Sequence, residues 1–306
     1  MSLAAGDGGT LYVVATPIGN LADVTLRALT VLGEVPLIAA EDTRLTKRLL
    51  DRHAIDGRLT SYHAQSGPRR LVALLEHLRG GADLALVTDA GTPVVSDPGA
   101  DLVHAWAGEG GRVVPIPGPS AVLAAVSASG VAGPRWSFEG FLPRSGRGRR
   151  DRLVSIAGDE RGSVLFEAPG RAAATLRDLA VACDPERVGA VCRELTKIHE
   201  QIVRGSLAEL AEALEPGGSI PARGEFVIVV GMGDPVLAVE SGPGGPGDPL
   251  TAARAEVQRL VEGGAARGDA ARRVGATTGI PRRQLYSIAD APDAPDAPDA
   301  PDQTED

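Results

Sequence analysis

The sequence predicts an α/β protein with two α/β domains, followed by a small helical domain. Short apolar runs alternate with helical stretches, and several of these runs end in turns of glycine and proline. A length of 306 residues also favours two domains over one. The predicted boundaries are a flexible leader at 1–10, α/β domains at 11–130 and 131–233, a linker at 234–248, a helical domain at 249–289 and a disordered acidic tail at 290–306.

The first domain contains apolar runs that fit buried strands, with helical spacing between them. This alternation predicts a doubly wound parallel sheet. The strands are expected at 11–15, 35–40, 84–87 and 113–116. The helices are expected at 24–32 with Asp23 as its cap, from Leu45, from Leu71, at 100–107 with Asp97 as its cap, and after Ser120.

The second half repeats the alternation less regularly and predicts a second α/β domain. Its expected elements are an extended stretch at 136–141, a flexible basic loop at 144–152, strands at 163–167, 188–191, 202–203 and 226–230, and helices at 172–181 and from Leu207. Proline and glycine clusters at 234–247 predict the linker. Three short helices are expected at 250–260, 269–274 and 281–288, and the turn at 275–280 suggests a helix-turn-helix.

Charge and cysteine content exclude several classes of protein. The net charge is −9, but the 17-residue tail from Asp290 contains seven acids and no base, so the remainder carries 33 acids against 31 bases. The two cysteines, Cys183 and Cys192, predict neither a disulfide scaffold nor a metal site, and they favour a reducing, cytoplasmic compartment. No signal peptide or apolar run long enough to cross a membrane is visible.

The central strand at 84–87 leads into a loop that is suited to binding. The loop has two glycines, two prolines and two aspartates in twelve residues. In open parallel sheets ligands bind beyond the carboxyl ends of the strands, and small residues there let a ligand approach the backbone. The loop is therefore the first candidate site.

Together with this loop, a series of motifs follows in a fixed order along the chain. The motifs are Thr16-Pro-Ile-Gly-Asn-Leu21, Ala40-Glu-Asp-Thr-Arg44, Thr88-Asp-Ala-Gly-Thr-Pro93, Asp97-Pro-Gly99, Pro117-Gly-Pro-Ser120, Phe138-Glu-Gly-Phe-Leu-Pro143, Arg193-Glu-Leu-Thr-Lys197 and Arg223-Gly-Glu225. This series resembles the tetrapyrrole-methylase superfamily, and within it the branch that methylates small-subunit ribosomal RNA. The resemblance implies two α/β domains with S-adenosylmethionine in the cleft between them, a homodimer, and 2′-O-methylation of a cytidine in the decoding region of 16S ribosomal RNA. Gly91-Thr-Pro93 replaces the Gly-Asp-Pro of the small-molecule members, which favours the RNA branch.

Candidate site residues follow from the strand-end loops and from this resemblance. A base that removes the proton of a ribose hydroxyl is sought in Asp42 or Glu225, with Arg44 and Lys197 as phosphate-binding or orienting partners. Each has a structural alternative as a cap, an ion pair or a surface group. The residues expected around the cofactor are Pro17, Gly19, Asp89, Ala90, Gly91, Thr92, Pro93, Asp97, Pro117, Gly118, Ser120, Ala121, Ala168 and Pro169.

Contacts with RNA phosphates are expected from arginines, because they supply counter-charge without reading the bases. The resemblance implies small-subunit ribosomal RNA or the ribosomal subunit as the partner. The first predicted patch is Arg144, Arg147, Arg149, Arg150 and Arg152 in the basic loop, and the second is Arg272, Arg273, Arg282 and Arg283 in the terminal helices.

Two other interpretations stay open at this point. A small-molecule tetrapyrrole or precorrin methylase would need the cofactor cleft but not the basic loop. A non-catalytic RNA-binding assembly protein would need the basic surface but not the cleft. The sequence leaves undecided whether free RNA or the assembled particle is the substrate.

Overall fold

The computed structural model describes residues 8–233, 249–278, 280–281 and 284–285. Most of the predicted leader, the predicted linker and the acidic tail lie outside these ranges. The same holds for Arg282 and Arg283, and for all of the predicted helix at 281–288 except Pro281, Gln284 and Leu285. The chain divides into two units, Met1–Asp234 and Pro235–Asp306, and the first unit contains both sheets.

The first sheet has five parallel strands, as its alternating pattern predicts. The strand order is β3-β2-β4-β1-β5, so the carboxyl ends of all five strands meet at one edge. The edge strand β3 was not predicted, because its three residues, Leu-Thr-Ser, are half-buried and form no apolar run. The strands are β1 (Leu11–Val14), β2 (Ile38–Ala40), β3 (Leu59–Ser61), β4 (Leu84–Val87) and β5 (Val113–Ile116).

Four helices connect these strands, and a fifth follows the last strand and leads to the second sheet. Two predicted caps are wrong. The first helix begins after Thr25, whose hydroxyl accepts from the Ala28 N–H, while Asp23 lies in a short 3-10 turn. The helix after β4 begins after Gly99, whose φ of 115° suits glycine, and not after Asp97. The helices are α1 (Leu26–Glu34), α2 (Thr43–Arg52), α3 (Pro68–Arg79), α4 (Ala100–Gly108) and α5 (Ala121–Ser129).

The second sheet is mixed, which the sequence pattern did not indicate. Its order is β6-β7-β10-β8-β9; β6 and β7 are parallel, whereas β10 is antiparallel to β7 and β8, and β9 is antiparallel to β8. Val122 and Ala125 of α5 pack against Val229 of this sheet, so this helix joins the two halves of the unit. The strands are β6 (Trp136–Phe141), β7 (Gly162–Glu167), β8 (Val188–Arg193), β9 (Gln201–Ser206) and β10 (Phe226–Val230).

The predicted basic loop at 144–152 is wrong, because most of it belongs to helix α6 (Gly146–Ala157). Arg149, Leu153 and Ile156 follow one another at helical spacing and are all buried. The sequence did not indicate this helix, because glycines and arginines dominate its first half and an arginine was not expected at a buried position. Leu153 and Ile156 belong to the hydrophobic core on one face of the second sheet. Two further helices, α7 (Ala172–Cys183) and α8 (Leu207–Ala213), contribute residues to this core.

The second unit contains two described helices, Pro249–Glu262 and Arg267–Thr278. They enclose a small core of their own that includes Val257, Ala270 and Val274. Within the described parts of the whole chain, no helix is long and apolar enough to cross a membrane.

Candidate functional site

Three adjoining cavities lie in a row within the first unit, between the loops of the first sheet and the strand ends of the second. The inner cavity, of about 420 Å³, shares Ile18, Ala90 and Glu225 with the middle cavity, of about 460 Å³. The middle cavity shares Gly19, Leu21 and Lys197 with the outer cavity, of about 850 Å³. Volumes of a few hundred Å³ are typical of sites for ligands of cofactor size.

The inner cavity is formed by the loop after β4, the start of α5 and the ends of β7 and β10. Small residues from the first sheet face an aromatic wall from the second, in which the Phe141 and Phe166 rings lie 5.6 Å apart at an interplanar angle of 59°. The lining residues are Ile18, Ala90, Gly91, Thr92, Val95, Ser96, Asp97, Ser120, Ala121, Val122, Phe141, Phe166, Glu167, Ala168, Pro169, Gly224, Glu225, Phe226 and Val227.

Tertiary contacts hold the loop after β4 in an unusual conformation. Thr16 and Gly91 exchange backbone hydrogen bonds of 2.9 and 3.0 Å, which fix the loop to the end of β1. Val94 and Ser96 have φ angles of 75° and 66°, in the left-handed region that costs a β-branched residue most. Strain of this kind persists where the surrounding structure imposes it and is common at ligand sites.

One carboxyl group gives the inner cavity negative character. Burial, followed by the charge of Glu41, raises the pKa of Asp97 to about 6. The carboxyl group of Glu167 is fully buried and already compensated, because it accepts hydrogen bonds from the Thr175 hydroxyl at 2.6 Å and from the Ala168 N–H at 2.8 Å and pairs with Arg171 at 3.3 Å. Asp97 therefore favours a ligand that carries positive charge.

The middle cavity is organised by Lys197, which follows β8. Its ammonium lies 3.0 Å from Glu194 and 2.9 Å from Glu225. Burial opposes the charged form, but hydrogen bonds to Glu225 and Glu194 outweigh it and raise the pKa of Lys197. Lys197 is therefore a fixed cation at neutral pH and not a proton acceptor.

Two motifs distant in sequence interlock beside this lysine. The Asn20 N–H donates to the Thr196 hydroxyl at 3.1 Å, and a Cβ on Gly19 would lie 2.4 Å from Cγ of Lys197. Glu194 and Thr196 have φ angles of 50° and 65°, so this turn is strained as well. Position 19 therefore requires glycine, because only a residue without a Cβ leaves room for the aliphatic part of Lys197 to pass over the turn that follows β1.

Asp42 and Arg44 lie at the start of α2 and line none of the three cavities. Asp42 caps the helix, and its hydrogen bonds with Arg44 lower the pKa of Asp42 to about 2. The Asp42 N–H also donates to Asp89 at 2.8 Å. The structural alternative, a cap with an ion pair, describes this geometry, and a carboxyl group of such low pKa is a weak base.

The predicted cofactor residues separate into three groups. Eight line the inner cavity: Ala90, Gly91, Thr92, Asp97, Ser120, Ala121, Ala168 and Pro169. Pro17, Gly19 and Asp89 line the middle cavity instead. Pro93, Pro117 and Gly118 line none of the three.

The predicted RNA-binding arginines on and before α6 are not equivalent. Arg149 is buried and donates to Asp178, Thr175 and the Pro143 carbonyl, so its role is structural and its inclusion in an RNA surface is wrong. Arg147 pairs with Asp151, and Arg152 pairs with Glu139. Arg144 and Arg150 are exposed and have no ion pair within the described ranges.

Sequence reasoning missed several residues of the cleft. Phe141 and Phe166 line the inner cavity, and Arg48 and Arg52 line the middle and outer ones. The arginine spacing, on a helix that follows a strand-end motif, was a usable signal. The residues that the structure describes include no cluster of side chains suited to a metal ion.

Comparisons with known proteins agree with this architecture. A model of the tetrapyrrole (corrin/porphyrin) methylases matches residues 10–211. A protein of Synechocystis sp. named ribosomal RNA small subunit methyltransferase I is 44% identical over 281 residues, which cover 92% of this chain and 97% of the relative. A relative of the same name from Halalkalibacterium halodurans is 39% identical over 92% of this chain and 95% of its own.

Solved structures show the same fold at lower identity. Uroporphyrin-III C-methyltransferase of Thermus thermophilus, complexed with S-adenosyl homocysteine, aligns with a TM-score of 0.53 and 21% identity over 73% of this chain and 97% of its own. Diphthine synthase aligns with a TM-score of 0.56 and 15% identity over 76% of this chain and 94% of its own.

Proposed function

The chain belongs to the tetrapyrrole methylase family, and its similar relatives are named ribosomal RNA small subunit methyltransferase I. From this membership we propose that it methylates small-subunit ribosomal RNA with S-adenosylmethionine as the methyl donor. The more specific proposal is transfer to the ribose 2′-hydroxyl of a cytidine in the decoding region of 16S ribosomal RNA. The observation that carries it is the row of cavities, in which Glu225 borders both a cofactor-sized space and the space beside Lys197.

The residues of the inner cavity fit S-adenosylmethionine. Phe141 and Phe166 offer apolar ring faces of the kind that an adenine ring needs, while Ala90, Gly91 and Ala121 leave the backbone accessible. Asp97 provides a half-buried carboxyl group for a positively charged ligand. When bound, this cofactor supplies an electrophilic methyl group on a cationic sulfur.

The protein contributes position and electrostatics to the reaction. Asp97 favours positive charge in the inner cavity, where its carboxyl group is half-buried. Lys197 lies in the next cavity, where a fixed cation orients a hydroxyl or a phosphate. Most of the expected rate gain comes from holding the accepting oxygen in line with the donor.

Glu225 is the proposed base of the two candidates for proton removal. It borders both the inner and middle cavities, its side chain is 72% exposed, and Lys197 holds it at 2.9 Å. Asp42 lines neither cavity, and its pKa of about 2 makes it a poor acceptor. A positioned base is worth ~10²–10⁴-fold in rate.

The alternative functions differ in what they would require. A tetrapyrrole methylase would share the inner cavity, and solved enzymes of that type share the fold. The relatives at 39% identity and above are named for ribosomal RNA, which favours the RNA substrate. A non-catalytic RNA-binding protein would not need the strained loop around a cofactor-sized cavity. We further propose the small-subunit RNA or the ribosomal subunit as partner, a homodimer, a cytoplasmic location and no metal requirement.

A transfer assay tests the proposal directly. Purified protein is incubated with radiolabelled S-adenosylmethionine and, separately, with intact small subunits, naked 16S ribosomal RNA and a porphyrin precursor. We expect label in the RNA of the first or second reaction, and mass spectrometry should locate it on the ribose of a decoding-region cytidine. Label on the porphyrin alone would reject the RNA proposal. Label on a base, or on another nucleotide, would reject only its finer part.

A further inference from the structure

Helix α2 carries two arginines that have no acidic partner in the described part of the chain. Arg44 pairs with Asp42 and Lys47 pairs with Asp51, whereas Arg48 and Arg52 make no ion pair or hydrogen bond there through their side chains. Both residues are exposed. Unpaired, exposed arginines on an otherwise paired helix are available to bind an anion.

Both arginines line the cleft. Arg48 lines the middle cavity together with Lys197 and Glu225, and Arg52 lines the outer cavity, of which Lys197 is also a wall residue. They are four residues apart in α2, so their Cβ atoms lie about 5–6 Å apart on one face of the helix. Their flexible side chains can therefore reach two neighbouring anionic groups.

We propose that Arg48 and Arg52 bind neighbouring phosphates of the RNA strand that carries the methyl-accepting nucleotide, so that the strand runs along α2 past Lys197. This inference rests on the proposed function and adds the path of the substrate. It also places the main contact with the RNA phosphate backbone on α2. Helix α6 is less suited to this contact, because Arg147, Arg149 and Arg152 are already paired with acidic residues.

The chemistry of the outer cavity favours a polynucleotide over a small anion. The cavity is large, at about 850 Å³, and two apolar side chains lie at its walls: Ile198, which is 94% exposed, and Leu21, which is 40% exposed. A free phosphate gains nothing from such groups, whereas a nucleotide places a base beside its phosphate. Lys197 is already matched by two glutamates, so Arg48 and Arg52 supply the uncompensated positive charge.

Binding of a single-stranded RNA oligonucleotide from the decoding region tests the inference. The variant Arg48→Ala/Arg52→Ala is compared with Lys47→Ala/Arg79→Ala, which removes two cations outside the cavities. Affinity is measured by fluorescence anisotropy between 0.05 and 0.5 M salt, about a tenfold range around physiological ionic strength. Each phosphate contact adds ~0.7 to the salt slope for a single strand, so loss of two contacts should lower the slope by about 1.4 and the affinity about 25-fold at 0.1 M salt.

Methyl transfer and cofactor binding complete the experiment. The arginine variant should raise KM for the RNA substrate about 25-fold with kcat nearly unchanged, and it should bind S-adenosyl homocysteine with wild-type affinity, which shows that the fold is intact. Equal RNA affinity and salt slope in the two double variants, with active wild type, would overturn this inference and leave the proposed function standing. Absence of transfer to any small-subunit RNA by the wild type would overturn both.

Discussion

Replacement of Asp97 by asparagine is expected to stabilise the protein at neutral pH and to weaken its binding of a cationic ligand. Burial raises the pKa of Asp97 from 3.8 to about 6. A shift of about two units at 1.36 kcal/mol each gives an upper bound of ~3 kcal/mol. The cavity admits water, which screens the charge, so we expect about 1–2 kcal/mol. Asparagine removes this penalty because it carries no charge.

The sign of the pH dependence follows from linkage. The folded protein holds the Asp97 proton more tightly than the unfolded chain does, so this group makes the free energy of unfolding fall as pH rises from about 4 to about 6. Above pH 6 the difference is constant. The stability gain of Asp97→Asn over wild type should therefore be near zero at pH 4 and reach its full value by pH 7.

Urea denaturation at pH 4, 5, 6 and 7 measures this difference. Asp56→Asn, which alters an exposed aspartate, is the matched control and should show no such trend. Calorimetry at pH 7 should show weaker binding of S-adenosylmethionine to Asp97→Asn, and wild-type affinity should fall as pH drops through 6. If the stability gain of Asp97→Asn over wild type is no larger at pH 7 than at pH 4, the assignment of a desolvated charge to Asp97 is refuted.

Three further predictions concern the cleft and α6. Gly19→Ala should displace Lys197, because the new Cβ would lie 2.4 Å from its Cγ, and should lower kcat for methyl transfer ~10²-fold with unchanged binding of S-adenosyl homocysteine. Lys197→Gln should lower the rate of methyl transfer at least tenfold. The cofactor affinity measured by calorimetry should not change, since Lys197 lies outside the inner cavity, and a parallel loss of affinity would contradict this. Arg149→Ala should cost about 1–3 kcal/mol of unfolding free energy in urea, because it leaves the Asp178 carboxylate without its cation and removes a donor to the Thr175 hydroxyl, whereas the adjacent Arg150→Ala should stay within about 0.5 kcal/mol.

The local patterns of the sequence were sufficient for most of the fold. The strand β4 is an unbroken apolar run, and the glycines and prolines after it can only form a turn. Errors occurred where local cues compete. Asp23 and Thr25 are both residue types that cap helices well. In the folded chain it is the Thr25 hydroxyl that accepts a hydrogen bond from the Ala28 N–H, so the helix begins there. The strand β3 gains its stability from pairing with β2, which its own residues do not reveal.

The candidate site was predictable in part, for a related reason. Strand-end loops with small residues indicated the inner cavity, and the resemblance extended it to Ala168 and Pro169. The pairing of charges was not predictable. Residue type alone does not show that Arg149 is buried against Asp178 while Arg150 beside it is exposed, or that Arg48 and Arg52 lack a partner within the described structure.

The sequence by itself determined the alternation of strands and helices, the turns at strand ends and the set of reactive groups, because these depend on side-chain period and backbone freedom over a few residues. Only the tertiary structure decided which of those groups meet. The contact of Asn20 with Thr196 joins residues 176 positions apart, and the raised pKa of Asp97 arises from its burial and from the charge of Glu41. Desolvation and charge pairing are properties of neighbours in space, and a linear pattern carries no record of them.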